Sequence, residues 1–238
     1  VKEYLINIAN SSFENWKKAN PDKNIEDFDF QLNKMSVSGA LFDMVKLLDI
    51  GKTVISKMTA EEVYESAYTW AKEYDSELEE MLKNKEYSLK VFSIERGNVK
   101  PRKDISKWKE VKNAIIYMYD DKFVKLDLEY EDTKITDKNE IAKILKLYLS
   151  KYFDINHDKQ TWFDNIKELA EKTGYAREVK MYKQEPEKWP GHVGDISTVI
   201  RVALTGRTNT PDMYEIMQTL GEERVKQRIE MAIKKMEK

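Results

Sequence analysis

The sequence predicts a mostly α-helical protein, and three observations predict it. Glycine and proline number only 8 and 5 among 238 residues, so few positions interrupt a helix. Charged residues make up 35% of the chain against roughly a quarter in average domains, which suits long solvated helix faces. Apolar residues recur at three- and four-residue spacing through most segments, and one stretch alternates as a strand would.

The opening residues mix patterns and run into a loop, ANPDKNIEDFDF (19–30), around Asn20-Pro21. In FQLNKMSVSGALFDMVKLLDIGKTVI (30–55), Gly39 and Gly51 are expected to bracket an apolar turn or two. Thr59 with Glu62 three residues on is a capping-box signature, and Val63, Ala67, Trp70 and Tyr74 follow at helical spacing. The polar interval RGNVKPRKD (96–104) reads as a loop entering a helix through Trp108, Val111 and Ile115. KFVKLDLEYED (122–132) alternates apolar and polar residues and is the candidate strand pair. Thr136 is expected to cap a helix carrying Ile141, Ile144, Leu145, Tyr148 and Tyr152. Another helix should run from about Gln160 to Gly174 and bury Trp162, Phe163, Ile166 and Leu169.

The last third is the most legible. Asp195 is expected to cap a helix with an apolar face of Ile196, Val199, Ile200 and Ala203, stopped at Gly206. Ser197, Arg201 and Thr205 fall on the opposite face. After the polar loop RTN, Thr210 at the N-cap and Pro211 at the first helical position should start a helix that Gly221 ends. A last helix holds Val225, Ile229, Ala232, Ile233 and Met236 on one face. Three helices on short polar loops predict a cage-like bundle. Its 206–212 loop should gather exposed donors at a helix N-terminus, a setting that favours phosphate or base edges.

Charge is unevenly spread although the net is only −2. Glu61 to Glu80 holds eight acids against one base, Lys72. Lys83 to Lys112 holds ten Lys/Arg against four acids, and Asp120 to Asp132 reverses the sign with six acids against two bases. A local excess of positive charge is what a polyanion footprint requires. A solvated helix face would carry the same pattern.

Several chemistries lack their residues. With no cysteine there is no disulfide, thiolate metal site or cysteine nucleophile, which sits easily with a reducing cytoplasm. His157 and His192 are isolated, so no histidine metal pair forms, and the metal expectation is none. No glycine-rich nucleotide loop occurs. KMSVS (34–38) lacks the second lysine of the KMSKS loop of class I synthetases, and no HIGH sequence precedes it. No run approaches the ~20 apolar residues of a membrane span, and the N-terminus has no signal-peptide plan. Val1 is not an initiator methionine, so the chain is expected to be cut from something longer. On its residues it is not a complete enzyme, and no catalytic residue is assigned.

Two stretches together resemble bacterial glutamyl-tRNA synthetases. Residues 30–55 are similar to the end of that family's stem-contact region, where a strand and turn lead to FD..KL. VIRVALTGRTNTPDMYEIMQTLGEERVKQRIEMAI (199–233) is similar to the family's ending: R-x-A-L-T-G, a T-P turn, an apolar helix, L-G-x-E-R and a last helix. The resemblance implies a small α/β stem-contact remnant at 1–48, a helical bundle at 49–150 and an all-α, helix-cage anticodon-binding domain at 151–238. It implies anticodon readers at Arg201, Thr210, Pro211 and Met213, with Asp212 standing where many members carry Gly. A third-base arginine matches Arg102, and Arg96 competes for the place. Arg207 and Lys103 join them as RNA-binding candidates in the basic segments.

The leading expectation is therefore the tRNA-binding portion of a glutamate–tRNA ligase, holding the anticodon arm as a monomer in the cytoplasm, away from any membrane. ATP and Mg²⁺ would serve the intact enzyme and no cofactor this chain. The alternative is a helical protein-interaction module with no nucleic-acid role. The two separate on whether the 83–112 cations and Arg201 and Arg207 share one concave face or pair with the 61–80 acids.

Overall fold

The computed structural model describes residues 1–35 and 41–237, all of whose regular elements are helices. In order they are α1 (Lys2–Ala9), α2 (Phe13–Ala19), α3 (Met44–Lys57), α4 (Ala60–Tyr74), α5 (Ser76–Leu82), α6 (Lys85–Ser93) and α7 (Val111–Ile115). There follow α8 (Asp120–Phe123), α9 (Lys138–Leu147), α10 (Lys159–Lys172), α11 (Val179–Gln184), α12 (Val193–Thr205), α13 (Met213–Leu220) and α14 (Glu222–Met236). A π-helical turn, Tyr148–Tyr152, extends α9.

The N-terminal segment has its own small aromatic core. Phe13 packs edge-on to Phe28 at 5.0 Å, Trp16 lies 5.2 Å from Phe28, and α1 packs on α3. Among the described residues this segment carries helices and 3₁₀ turns, without the strand expected of an α/β remnant. Gly39 and most of KMSVS, from Ser36 to Ser38, lie outside the described residues.

Gly51 does not bracket a turn but sits inside α3. The reason is a close approach: a Cβ there would lie 2.5 Å from the Ser106 carbonyl oxygen. Glycine lets the loop preceding α7 rest directly on the helix, which offsets its poor helix propensity.

One apolar cluster runs from Ile55 to Met236. The Thr59–Glu62 box forms as expected: Thr59 Oγ1 accepts from Glu62 N–H at 3.2 Å, and Glu62 Oε2 accepts from Thr59 N–H at 2.7 Å. It starts α4, which packs on α5 and α6. Farther on, α9 packs on α12 and α14, and α10 on α12, so the core is continuous across residue 150.

The strand expected near 122–132 is absent. Leu128 and Tyr130 are buried and their neighbours exposed, so the alternation is real. It arises because an extended segment lies across helices instead of beside another strand. Tyr130 Oη donates to the Val199 carbonyl of α12, and a Cβ on Gly206 (φ 65°) would meet the Asp127 carbonyl at 3.2 Å.

Three caps move by one to three residues. Asp137, not Thr136, caps α9 by accepting from Glu140 N–H at 2.8 Å. His192 caps α12 through Nδ1, and Asp195 is the third helical residue returning a bond to His192 N–H. Asp212, not Thr210, caps α13, whose first residue is Met213 rather than Pro211. At two of these ends a carboxylate takes the cap, the group a helix N-terminus favours most. Phe163, expected in the core, is 38% exposed under Lys167, because it lies on the flank of α10 beside the buried Trp162.

Candidate nucleic-acid interface

A cavity of about 470 Å³ opens where the loop after α6, helix α7 and the loop between α12 and α13 meet. Its polar lining includes Arg102, Arg207, Asn113 and Thr210, and its apolar floor includes Tyr117, Ile115 and Met118. Residues about a hundred positions apart in sequence thus face one space.

Each arginine near it is held differently. Arg207 donates to the carbonyl and side-chain oxygens of Asn113 and lies 5.2 Å over the Tyr117 ring. Arg102 forks onto Asp104, Nε to Oδ2 at 2.7 Å and Nη2 to Oδ1 at 3.1 Å. Arg201 donates from Nη1 to the Thr208 carbonyl at 3.3 Å, while its Nε is buried without a partner. Burial, followed by the like charge of Arg102, lowers the Arg201 pKa. Burial pushes the Tyr117 hydroxyl up to about 12 against the opposing pull of Arg207, Arg102 and Arg201. Arg102 and Arg207 thus line the cavity together with Tyr117, whereas Arg201, on α12, is not part of that lining.

The expected helix-start site is filled from within the protein. Asp212 N–H donates to Glu95 Oε2 at 3.0 Å, and Asp212 itself takes the Glu215 N–H. Asp212 also pairs with Lys159 at 2.7 Å, not with Arg201. Two donors of that start, the Asp212 and Glu215 N–H groups, are thereby taken from within the protein. Thr210 and Met213 are 5% and 3% exposed and belong to the core, whereas Pro211 is half-buried on the cavity rim. Thr205, expected on a polar face, is fully buried and supports the loop by accepting the Arg207 N–H at 3.2 Å. Lys103 stands exposed beside Arg102.

Arg96 is spent on architecture. Its Nη1 donates to the carbonyls of Ile55 and Met58, and its Nε to that of Phe92, so it closes the ends of α3 and α6. Arg102 keeps its guanidinium on the cavity. The rest of the basic segment divides: Lys83, Lys85 and Lys112 pair with acids of 61–80, whereas Lys100, Arg102, Lys103 and Lys107 lie on the loop above α3. Sequence reasoning missed Tyr117, Asn113, Glu95 and Lys159, which nothing in their local patterns marks. Among the described residues no group of three or more His, Asp or Glu is arranged to hold a metal ion.

Residues 191–233 match the family model of the anticodon binding domain, which covers α12, α13 and most of α14. The chain is 48% identical over 231 residues to the glutamate–tRNA ligase of Acetivibrio thermocellus, covering 97% of this chain and 42% of that protein. It is 47% identical to the glutamate–tRNA ligase of Clostridium perfringens strain 13, and 43% to that of Sorangium cellulosum. These matches cover 96% and 95% of this chain and 42% and 40% of those proteins. The chain is homologous to part of glutamate–tRNA ligase. It spans about 42% of the length of these relatives, in their C-terminal part. No described helix is long and apolar enough to cross a membrane.

Proposed function

We propose that this chain is the tRNA-gripping portion of a glutamate–tRNA ligase that attaches glutamate to its tRNA with ATP and Mg²⁺ in the cytoplasm. The observation that carries the reading is the meeting of Arg102 and Arg207 at one cavity floored by Tyr117, in a chain matching an anticodon binding domain. Anticodon bases can be splayed from their loop, stacked on Tyr or Arg planes and read at their edges. In this reading Arg201, Arg102 and Arg207 meet bases or phosphates, Lys103 meets phosphate, and Pro211 borders the bases. Thr210 and Met213 act from the core by fixing the loop that carries them. Residues 1–48 serve as the stem-contact remnant, 49–150 as the helical bundle and 151–238 as the anticodon-binding unit, working as a monomer.

The described residues contain no metal-holding cluster, and the sequence has no phosphate-cradling loop. In this reading the ATP and Mg²⁺ chemistry is assigned to the portion of the relatives that this chain does not span. What these residues do is bind and orient RNA.

Binding of the 238-residue chain to glutamate tRNA and to an anticodon-swapped version, measured across a salt series, tests the reading. Affinity should fall with salt and remain higher for the cognate anticodon. Equal affinities would remove the base-reading role. Absence of binding would favour the protein-interaction alternative, to which the pairing of Lys83, Lys85 and Lys112 with the 61–80 acids otherwise lends support.

A further inference from the structure

Glu95 is the one non-glycine residue with a positive φ among the described residues, at 54°. Such backbone is unfavourable for a residue with a Cβ and persists only where its surroundings over-determine it. Here two bonds do so. Glu95 N–H donates to Glu215 Oε2 at 2.7 Å, and Glu95 Oε2 accepts from Asp212 N–H at 3.0 Å. The clasp joins residues 117 and 120 positions apart, tying the loop after α6 to the first turn of α13. Lys159 lies 2.7 Å from Asp212 and 3.9 Å from Glu215, which relieves repulsion among the three carboxylates. Arg102 Nε stands 3.8 Å from Glu95 Oε2.

We infer that Glu95 is a positioning residue for anticodon discrimination: its clasp sets the spacing between the loop after α6 and the loop between α12 and α13, so that Arg102 and Arg207 engage one ligand together. The inference rests on the cavity being the base-reading site. Unclasped loops would still supply positive charge, which governs grip and its salt dependence. They would not supply the fixed geometry on which edge recognition depends. Grip and reading should therefore come apart at this residue.

Three variants separate the clasp from the backbone strain. Glu95→Gly relieves the positive φ and removes the acceptor. Glu95→Asp keeps the charge, tolerates left-handed backbone better than Glu, and is one methylene too short to reach Asp212 N–H. Glu95→Gln keeps the reach and an amide oxygen that can accept. Dissociation constants for glutamate tRNA and for the anticodon-swapped tRNA, with the salt slope and melting temperature of each variant, provide the readout. Glu95→Gly and Glu95→Asp should lose about tenfold of the cognate preference, with the swapped-tRNA affinity and salt slope unchanged. Glu95→Gln should keep most of the preference. A preference intact in the Gly and Asp variants, or equal losses on both tRNAs, overturns the inference and leaves the cavity reading standing. A wild-type chain with no preference overturns that reading, and this inference falls with it.

Discussion

Around α5 and α6 the lysines meet carboxylates of their own or a neighbouring helix: Lys83 pairs with Glu80, Lys90 with Glu86 at 2.8 Å, and Lys85 with Glu65 of α4 at 2.6 Å. In the 96–107 loop and the 206–212 loop Arg102 and Arg207 instead reach one aspartate, the oxygens of Asn113 and the Tyr117 ring around a cavity. Both regions look equally basic in sequence. Helical geometry puts a lysine three or four residues from an acid and settles its charge locally. Loops crossing from separate helices have no such built-in partner, so their guanidiniums stay directed at shared space. Local charge counting therefore overstates the first region and understates the second.

The contrast is open to breakage at several points, and the largest effect should come from an arginine that serves the fold alone. Arg228 is buried in α14, donating to the Tyr117 and Leu204 carbonyls at 2.8 Å each and to Asp120 at 2.6 Å. Its replacement by Ala strands those acceptors beneath the cavity floor and should cost about 3 kcal/mol of stability. Thermal melting of Arg228→Ala beside Arg207→Ala checks this, since Arg207 is expected to matter for RNA far more than for melting.

Arg201→Ala comes next. It should lose roughly 1–3 kcal/mol of binding to the cognate anticodon and much less to a swapped one. Arg201→Lys should stay impaired because an ammonium lacks the planar fork. A melting loss with no change in discrimination would return Arg201 to a loop brace.

Charge itself gives a smaller, graded signal. Changing Lys100, Arg102, Lys103 and Lys107 to Ala should flatten the salt slope by roughly 0.7–0.9 for each phosphate no longer neutralised. The same change at Lys83, Lys85 and Lys90 should leave the slope where it was. Equal flattening from both sets would erase the distinction between the regions.

The smallest effect concerns acid. Lys122 and Lys112 hold the Glu77 pKa below its ordinary 4.5. Burial alone would raise Asp75, but Lys112 and backbone N–H groups outweigh it and leave it below 3.8. Both groups bind protons less readily folded than unfolded. Their stabilisation is therefore present above those unfolded values and disappears as pH falls below them, through the lowered folded ones. Melting from pH 6 to pH 3 should show this decline, and Lys112→Met should blunt it while leaving neutral-pH RNA affinity unchanged.

The sequence by itself determined the helical class, the Thr59–Glu62 start, the Gly206 and Gly221 stops, and the apolar faces of α9, α12 and α14. Those features depend on neighbours within about four residues, so spacing alone carries them. The order of motifs from Arg201 to Ile233 was also enough to point to the family. Only the tertiary structure decided which arginines serve the fold and which face the cavity. Arg96 and Arg102 are six positions apart and both border the cavity, yet Arg96 is bonded to the carbonyls of helix ends and Arg102 to the side chain of Asp104. It also decided that Gly51 continues a helix, that Leu128 and Tyr130 alternate without a partner strand, and that Glu95 fills the α13 start. In these last three cases the deciding atom lies more than about 50 residues away in sequence, and a local pattern holds no record of the distance across which a hydrogen bond or a steric contact will form.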